Sequence, residues 1–206
     1  MAGSQSEKLD LFKLHKGEYV KPKKPALIET GPAQYIVVRG TGAPGSEPFT
    51  RALEALYPMA YTLKFESKFA GRDYTVGKLE ALYGVDGQTL EQLGTLPKDR
   101  WNWHMMIRVP DFTTGDDLGA ARQKLRDKGK EGDFDAVTLE TLDEGRCVQM
   151  LHLGPYEDLA RSAETMLSFA AESGLAPRSW HHDIYLSDPR RVAPEKLKTI
   201  VRLPVR

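Results

Sequence analysis

The side chains best suited to chemistry in this sequence are acids and phenols on predicted strands. Asp183 and Tyr185 are two residues apart, so their side chains share one face of a strand. A carboxylate beside a phenol can bind a cation, or it can activate water while the phenol donates a hydrogen bond to a substrate oxygen. The same spacing also fits a surface aspartate on an edge strand beside a half-buried tyrosine. We take Asp183 and Tyr185 as candidate catalytic residues.

A third candidate catalytic residue, Glu80, lies in another predicted strand. Strand alternation places Glu80 with Leu82 and puts Tyr83 on the opposite face. Glu80 either turns into the same cleft as Asp183, or is solvated or paired with a lysine, which is the commoner fate of a lone glutamate.

Aromatic and methionine side chains provide polarisable surface that suits flat, variable ligands. The candidate ligand-binding residues are Tyr61, Tyr83, Trp103, Met106, His152 and Tyr156. Trp103 and Met106 point to opposite faces of one strand, so simple core packing must hold on one of those faces. His152 is either a general acid or a satisfied core histidine. Tyr156 either projects into the cleft or caps a turn.

Motifs for nucleotide, metal or serine-hydrolase chemistry are absent from the sequence, which has no Walker loop, GxGxxG, HExxH or GxSxG. Cys147 is the only cysteine, so it has no second thiol with which to form a metal pair. His181 and His182 are adjacent and point to opposite faces of a strand. We therefore expect no metal and no cofactor.

The amino-acid composition limits the binding partners and the cellular compartment that we expect. Lysine plus arginine equals aspartate plus glutamate, 29 each, so no long-range field attracts nucleic acid or an acidic membrane. The N-terminus lacks a signal-peptide pattern, and no run approaches the roughly 18 apolar residues of a membrane span. One cysteine is compatible with a reducing compartment. We expect a cytoplasmic monomer or homodimer whose partner is a small molecule, with no nucleic-acid or membrane role.

The order of predicted elements repeats along the chain. A strand ends at Gly40 and another at Gly154, and each is followed by a helix and two strands. This order predicts an α+β fold of two pseudo-twofold β-α-β-β modules with antiparallel sheets and a central ligand groove. The predicted helix at 47–65 should kink or break at Pro58. Strands at 136–141 and 147–153 should form a hairpin.

The predicted domain organisation follows from that order. Residues 1–24 form a polar N-terminal arm, and residues 25–206 form the ligand-binding domain. The repeated halves cover about 33–110 and 136–206, with a linker helix at 111–129.

Four sequence blocks resemble the GyrI-like small-molecule-binding family, and the resemblance extends from about residue 25 to 206. The blocks are LYPMAYTLK at 56–64, MIRVPDF at 106–112, VQMLHLGPY at 148–156, and HDIYLSDPRR with APEKLKTI at 182–200. The resemblance implies two β-α-β-β modules around a groove for drug-like molecules. Related domains are effector domains of multidrug-responsive regulators, in which an acid and aromatic residues hold lipophilic cations. With no room for a helix-turn-helix before Gln34, this chain resembles a stand-alone member.

Some stand-alone members that this chain resembles hydrolyse the strained cyclopropane rings of DNA-alkylating natural products, with a glutamate thought to activate water. This sequence has Asp183 where the family usually has glutamate, and Tyr83 where it often has tryptophan. A loss of reach of roughly an ångström can cost on the order of a hundredfold in rate, whereas attraction to a cation falls off gently.

The departure at Asp183 therefore favours binding of flat, lipophilic or cationic molecules in an aromatic cleft with carboxylates. The alternative is a cyclopropanoid-type hydrolase with Asp183 as general base, possibly with Glu80, and with Tyr185 or His152 as hydrogen-bond donor. A purely structural or protein-interaction domain is a third possibility, and it predicts a closed interface between the halves.

Overall fold

The protein forms one eight-stranded antiparallel sheet with its long helices on one face. The computed structural model describes residues 8–87, 90–178 and 180–206. The strands are β1 Ala26–Glu29, β2 Ala33–Thr41, β3 Leu79–Gly84, β4 Asn102–Arg108, β5 Thr138–Leu142, β6 Arg146–Leu153, β7 His181–Tyr185 and β8 Lys198–Pro204, in the order β1-β6-β8-β7-β3-β4-β2-β5. The helices are α1 Leu11–Leu14, α2 Glu47–Phe69, α3 Leu90–Leu93, α4 Gly115–Asp127 and α5 Leu159–Glu172. The predicted α+β class is confirmed.

The repeated order of elements appears as two halves joined at the centre of the sheet. The first half runs β2-α2-β3-β4 and the second runs β6-α5-β7-β8. Within each half the strands pair in equivalent ways, and the two halves meet where β3 pairs antiparallel with β7. In that central ladder Ala81 lies opposite Asp183, and Tyr83 lies opposite His181. The pseudo-twofold axis therefore passes between β3 and β7.

The predicted hairpin between 136–141 and 147–153 is wrong. β5 pairs with β2 of the first half, and β1 pairs with β6 of the second half, so each half is extended by a strand that precedes the other half. The segment after β5 does not close a tight turn because Glu144 is directed toward the sheet, where Arg202 and His182 bind its carboxylate.

Apolar residues at helical spacing determine which side of helix α2 faces the sheet. Ala52, Leu56, Met59 and Leu63 are buried, and the helix packs against β2 and β4. Pro58 does not interrupt the helix, so the predicted break is wrong. The buried side chains on both sides of Pro58 hold the two turns against the same sheet, which offsets the loss of one backbone donor.

Helix α5 is the counterpart of α2 in the second half. It places Met166 and Ala170 against Val148, Val201 and Leu203 of β6 and β8. Because α2 and α5 each pack on the outer strands of their own half, the central strands β3 and β7 lie between the two helices.

The opposite face of the sheet is covered by the segment that precedes β1. Tyr19 of this segment is buried, and Phe12 stacks on Tyr19 with ring centroids 4.5 Å apart. No helix in the described part of the chain is long and apolar enough to cross a membrane.

Candidate functional site

The residues at the middle of the sheet, on the helix side, form a group of phenols around one acid. We call this group the tyrosine cluster; it consists of Tyr83, Tyr156 and Tyr185 around Asp183, whose charge raises the pKa of each phenol, with Tyr57 beside Tyr156. The hydroxyls of Tyr83 and Tyr185 are hydrogen-bonded at 2.8 Å, and the ring of Tyr156 meets that of Tyr185 edge-on at 5.5 Å. Strand alternation brings Tyr83, Asp183 and Tyr185 to this face, and the central ladder brings the two strands together.

Asp183 is the buried charge of the tyrosine cluster. Its residue is 2% exposed, and no protein group in the described part of the chain donates a hydrogen bond to its Oδ1. Its Oδ2 lies 3.7 Å from Nε2 of His181, whose ring stacks on Tyr83. A buried oxygen without a donor costs about 1–3 kcal/mol, so this carboxylate is available to an added hydrogen-bond or cationic partner.

The phenols of the tyrosine cluster remain protonated at neutral pH. Burial, the neighbouring Tyr83 and the charge of Asp183 raise the pKa of Tyr185 well above its usual value. Burial likewise raises the pKa of Tyr83, and the hydrogen bond shared with Tyr185 only partly offsets this effect. Because one hydroxyl donates to the other, one O–H of the pair is left to donate to a third group.

The tyrosine cluster has a buried part against the sheet, which we call its floor, and an exposed border on α2, which we call its rim. Tyr83 is 4% exposed and Asp183 is equally inaccessible, whereas Tyr57 and Tyr61, one turn apart on α2, are exposed. Asp183 and Tyr83 are therefore shielded from solvent, which is the closed arrangement expected of a purely structural interface rather than an open groove. A pocket of about 380 Å³ lies elsewhere on the protein, beside Arg39, His104 and Trp180.

The structure does not bring Glu80 to the tyrosine cluster. In the central ladder Glu80 lies opposite Ile184 whereas Ala81 lies opposite Asp183, so the two acids point to opposite faces of the sheet. Tyr19 donates to Oε1 of Glu80 at 3.1 Å, and Oε2 lies 3.0 Å from Nε2 of His182. The expectation that Glu80 and Asp183 share one cleft is corrected by this register.

Three of the predicted ligand-binding residues also lie apart from Asp183. Met106 is on the opposite face and packs with other buried apolar side chains of that face. Trp103 is on the helix side but 1% exposed, enclosed by Phe49 and by the backbone of Gly40.

Of the two expected roles of His152, the structure supports that of a core histidine whose ring nitrogens are both hydrogen-bonded. Its Nδ1 lies 2.9 Å from the Ser162 hydroxyl and its Nε2 lies 3.0 Å from the Pro155 carbonyl oxygen. Both ring nitrogens are therefore engaged within the second half, and the imidazole is fixed beside the start of α5.

Two neighbours of the tyrosine cluster were missed by the sequence reasoning. His181 stacks on Tyr83 with centroids 5.5 Å apart, and Trp101 meets Tyr83 edge-on at 6.1 Å. His181 has the same strand parity as Asp183 and Tyr185, so that spacing was a sufficient signal. Trp101 precedes β4, and no local pattern assigns it to this position.

The opposite face carries a second set of buried charges, which we call the ionic network: Glu80, Glu144, His182 and Arg202. Oε2 of Glu144 accepts hydrogen bonds from His182 at 3.0 Å and from Arg202 at 2.5 Å. Burial alone would lower the pKa of His182, but the charges and hydrogen bonds of Glu144 and Glu80 raise it to about 9. Burial alone would raise the pKa of Glu144, but His182 and Arg202 lower it to about 2.

Metal-binding and thiol chemistry among the described residues depends on the acids and histidines of the two faces and on Cys147. No group of three His, Cys, Asp or Glu residues in the described part of the chain is arranged to hold a metal ion. Burial and the charge of Glu144 raise the pKa of Cys147 to about 12, so its thiol is protonated at neutral pH.

A repeated half-sheet with one helix on each half defines a two-module domain, and comparisons identify its family. Residues 115–206 match the family model of the GyrI-like small molecule binding domain. An uncharacterized conserved protein from Listeria innocua has 35% identity and a TM-score of 0.88, and the match covers 97% of this chain and 100% of that one. A hydrolase from Listeria innocua also has 35% identity, with the same coverage and a TM-score of 0.85.

The chain therefore belongs to the GyrI-like small-molecule-binding family. The EcmrR C-terminal domain shares the fold, with a TM-score of 0.58 and 12% identity, over 89% of this chain and 97% of that one. No protein with a curated description matches the chain.

Proposed function

We propose that this protein binds a flat, lipophilic or cationic small molecule at the tyrosine cluster, with Asp183 as its charged partner. The observation that carries the proposal is the buried Oδ1 of Asp183, which has no donor among the described residues and lies among phenol rings. A ligand cation or N–H group would supply the missing partner.

The surroundings of Asp183 suit such a ligand in two ways. Aromatic faces attract cations, and the attraction is strongest where water is excluded, as at this buried floor. The protonated phenols of Tyr83 and Tyr185 leave one O–H that can donate to a ligand carbonyl or ether oxygen. A molecule that combines a flat ring with a positive or hydrogen-bonding group fits both features.

The ligand enters from the exposed rim. Tyr57 and Tyr61 are exposed on α2, and Tyr156 lies at the turn that starts α5. In this proposal Tyr156, which is not on α2, turns aside to open a path to Asp183 without moving the sheet. Ligand binding should therefore change the environment of these rings more than that of Tyr83.

Titration with paired dyes tests this proposal. Ethidium, a flat cation, and an uncharged aromatic dye of similar size are titrated into the protein while fluorescence anisotropy is recorded. We expect saturable binding of the cation, weakened at least tenfold by Asp183→Asn and unchanged by Glu164→Gln, an exposed control on α5. Absence of saturable binding by either dye, or equal binding by wild type and Asp183→Asn, contradicts the proposal.

Hydrolysis of a bound electrophile is the second candidate function. It is favoured by a specific observation: a full-length relative with 35% identity is described as a hydrolase. In this reaction Asp183 accepts a proton from water while the water oxygen bonds to a carbon of a strained cyclopropane. The ring carbon–carbon bond breaks, its electron pair passes through the conjugated dienone to the carbonyl oxygen, and that oxygen takes a proton from the Tyr83–Tyr185 pair.

Mass spectrometry of the product separates binding from hydrolysis. We expect a hydrolase to convert a cyclopropane-dienone substrate to a product that contains one added water, over many turnovers. Asp183→Asn should abolish the conversion, and Asp183→Glu should preserve it because the charge is retained with a longer reach. A single equivalent of bound, unchanged substrate would exclude hydrolysis and leave the binding proposal intact.

A further inference from the structure

Helix α2 carries a row of exposed aromatic rings that its packing on the sheet does not use. We call this row the aromatic ridge: Tyr57, Tyr61, Phe65 and Phe69, which are 37%, 50%, 46% and 76% exposed. The four residues are spaced by four, so they lie along one side of the helix, turned away from the buried side that contacts β2 and β4.

The aromatic ridge is large for an unused surface. Aromatic side chains present about 150–250 Å² each, so half-exposed rings at these four positions leave roughly 400 Å² of apolar surface in water. A contiguous patch of this size on a soluble protein usually marks an interaction site. Only Tyr57 is also part of the tyrosine cluster; Phe65 and Phe69 lie two and three turns further along α2.

Charges beside the aromatic ridge are self-complementary. Glu54 precedes Tyr57 by three residues and Lys68 follows Phe65 by three residues, and both are exposed. Neither forms an ion pair within the described part of the chain, unlike the nearby Glu47 and Arg51, which pair with each other at 3.2 Å. Glu54 and Lys68 are therefore free to meet an external partner.

An antiparallel pair of α2 helices satisfies both features at once. With a twofold axis at Tyr61, Tyr57 lies opposite Phe65 of the second copy, and Glu54 lies opposite Lys68 of the second copy. The stretch from Glu54 to Lys68 is about 21 Å long, which is enough for a helix–helix contact. A twofold interface uses one surface twice, so a ridge with acid at one end and base at the other fits it.

We propose that the aromatic ridge is the interface of a symmetric homodimer in which α2 packs antiparallel against α2 of a second copy. The two ridges together bury roughly 800 Å², less than the 1,200–2,000 Å² of a typical stable interface, so the dimer dissociates on dilution. The zero net charge of the chain and the opposite charges of Glu54 and Lys68 at the two ends of the ridge favour a second protein copy over an anionic lipid surface.

Sedimentation equilibrium of charge-swap variants tests the proposal. Glu54→Lys or Lys68→Glu alone places like charges opposite each other twice per dimer, and we expect each to weaken self-association about tenfold. The double variant Glu54→Lys/Lys68→Glu should restore association to near the wild-type value. Glu164→Lys, an equally exposed change on α5, should have no effect.

A ridge variant and a vesicle assay complete the test. Phe65→Ser should make the protein monomeric while its far-ultraviolet circular dichroism and melting temperature match the wild type. A wild-type protein that is monomeric at every concentration overturns the proposal, as does a dimer that survives Phe65→Ser and both single swaps. Wild-type binding to phosphatidylcholine vesicles that is lost in Phe65→Ser, without any dimer, would reassign the ridge to a lipid surface.

Discussion

Asp183 and Glu144 are buried carboxylates on opposite faces of the same sheet, and their surroundings differ. Glu144 accepts hydrogen bonds from His182 and Arg202 through Oε2, so its charge is balanced by groups of the protein. In the described part of the chain neither Oε1 of Glu144 nor Oδ1 of Asp183 has a donor, and the ion-pair partner of Asp183 is His181, at 3.7 Å. A balanced charge holds the sheet together, whereas an unbalanced one remains available to a ligand.

Removal of Glu144 should give the largest effect on stability. Glu144→Ala leaves Arg202 buried without its main partner, and breaking a buried ion pair in this way costs about 3–5 kcal/mol. Urea unfolding followed by circular dichroism measures the difference. A loss below about 1 kcal/mol would show that the ionic network does not stabilise the fold.

The pH dependence of stability should follow the ionic network. The pKa of His182 is raised from 6.5 to about 9, so its contribution is complete below pH 6.5 and is lost as pH rises through 9. The pKa of Glu144 is lowered from 4.5 to about 2, so its contribution is present above pH 4.5 and is lost as pH falls through 2. The free energy of unfolding should therefore be highest between about pH 4.5 and 6.5.

His182→Gln separates the two limbs of that profile. The variant should lose the decline between pH 6.5 and 9 and keep the acid decline, because Glu144 still faces Arg202. An alkaline decline that is identical in the wild type and the variant would assign it to other groups.

Tyr185→Phe should have a smaller effect on stability than Glu144→Ala, and it tests whether the phenols of the helix-side face contribute to ligand binding. It removes the 2.8 Å hydrogen bond to Tyr83, which is worth about 1 kcal/mol, and it takes away one of the two O–H groups of the pair. The lost Tyr185 oxygen can no longer accept a hydrogen bond from an ethidium amino group, so ethidium affinity should fall a few-fold while its salt dependence stays the same, since Asp183 is retained. Unchanged affinity would remove the phenol pair from the ligand contact.

Asp183→Asn should have the smallest effect on stability, in the opposite direction from Glu144→Ala. Removing a buried charge whose basic neighbour among the described residues, His181, lies 3.7 Å away should leave the free energy of unfolding unchanged or raise it by about 1 kcal/mol. Urea unfolding of both variants side by side makes the comparison. A loss comparable to that of Glu144→Ala would mean that Asp183 supports the fold rather than a ligand.

Local pattern predicted the class and the repeated order of this fold, but not how its strands pair. Alternation within β7 correctly grouped Asp183 with Tyr185, because a strand fixes which side chains share a face. The pairing of β5 with β2 depends on contacts about 100 residues apart, and no local signal encodes it.

The prediction of the candidate site failed where it depended on how the strands pair. Placing Glu80 relative to Asp183 required the register between β3 and β7, which sets Ala81 rather than Glu80 opposite Asp183. Glu144 lies between the two strands of the predicted hairpin, and only the fold shows that Arg202 and His182 bind it.

Titration of ethidium into wild-type protein and Asp183→Asn, with urea unfolding of the same two samples, tests the central claim most directly. The account predicts that the variant is at least as stable as the wild type and binds the dye at least tenfold more weakly. Equal dye affinity in two equally stable proteins would contradict it.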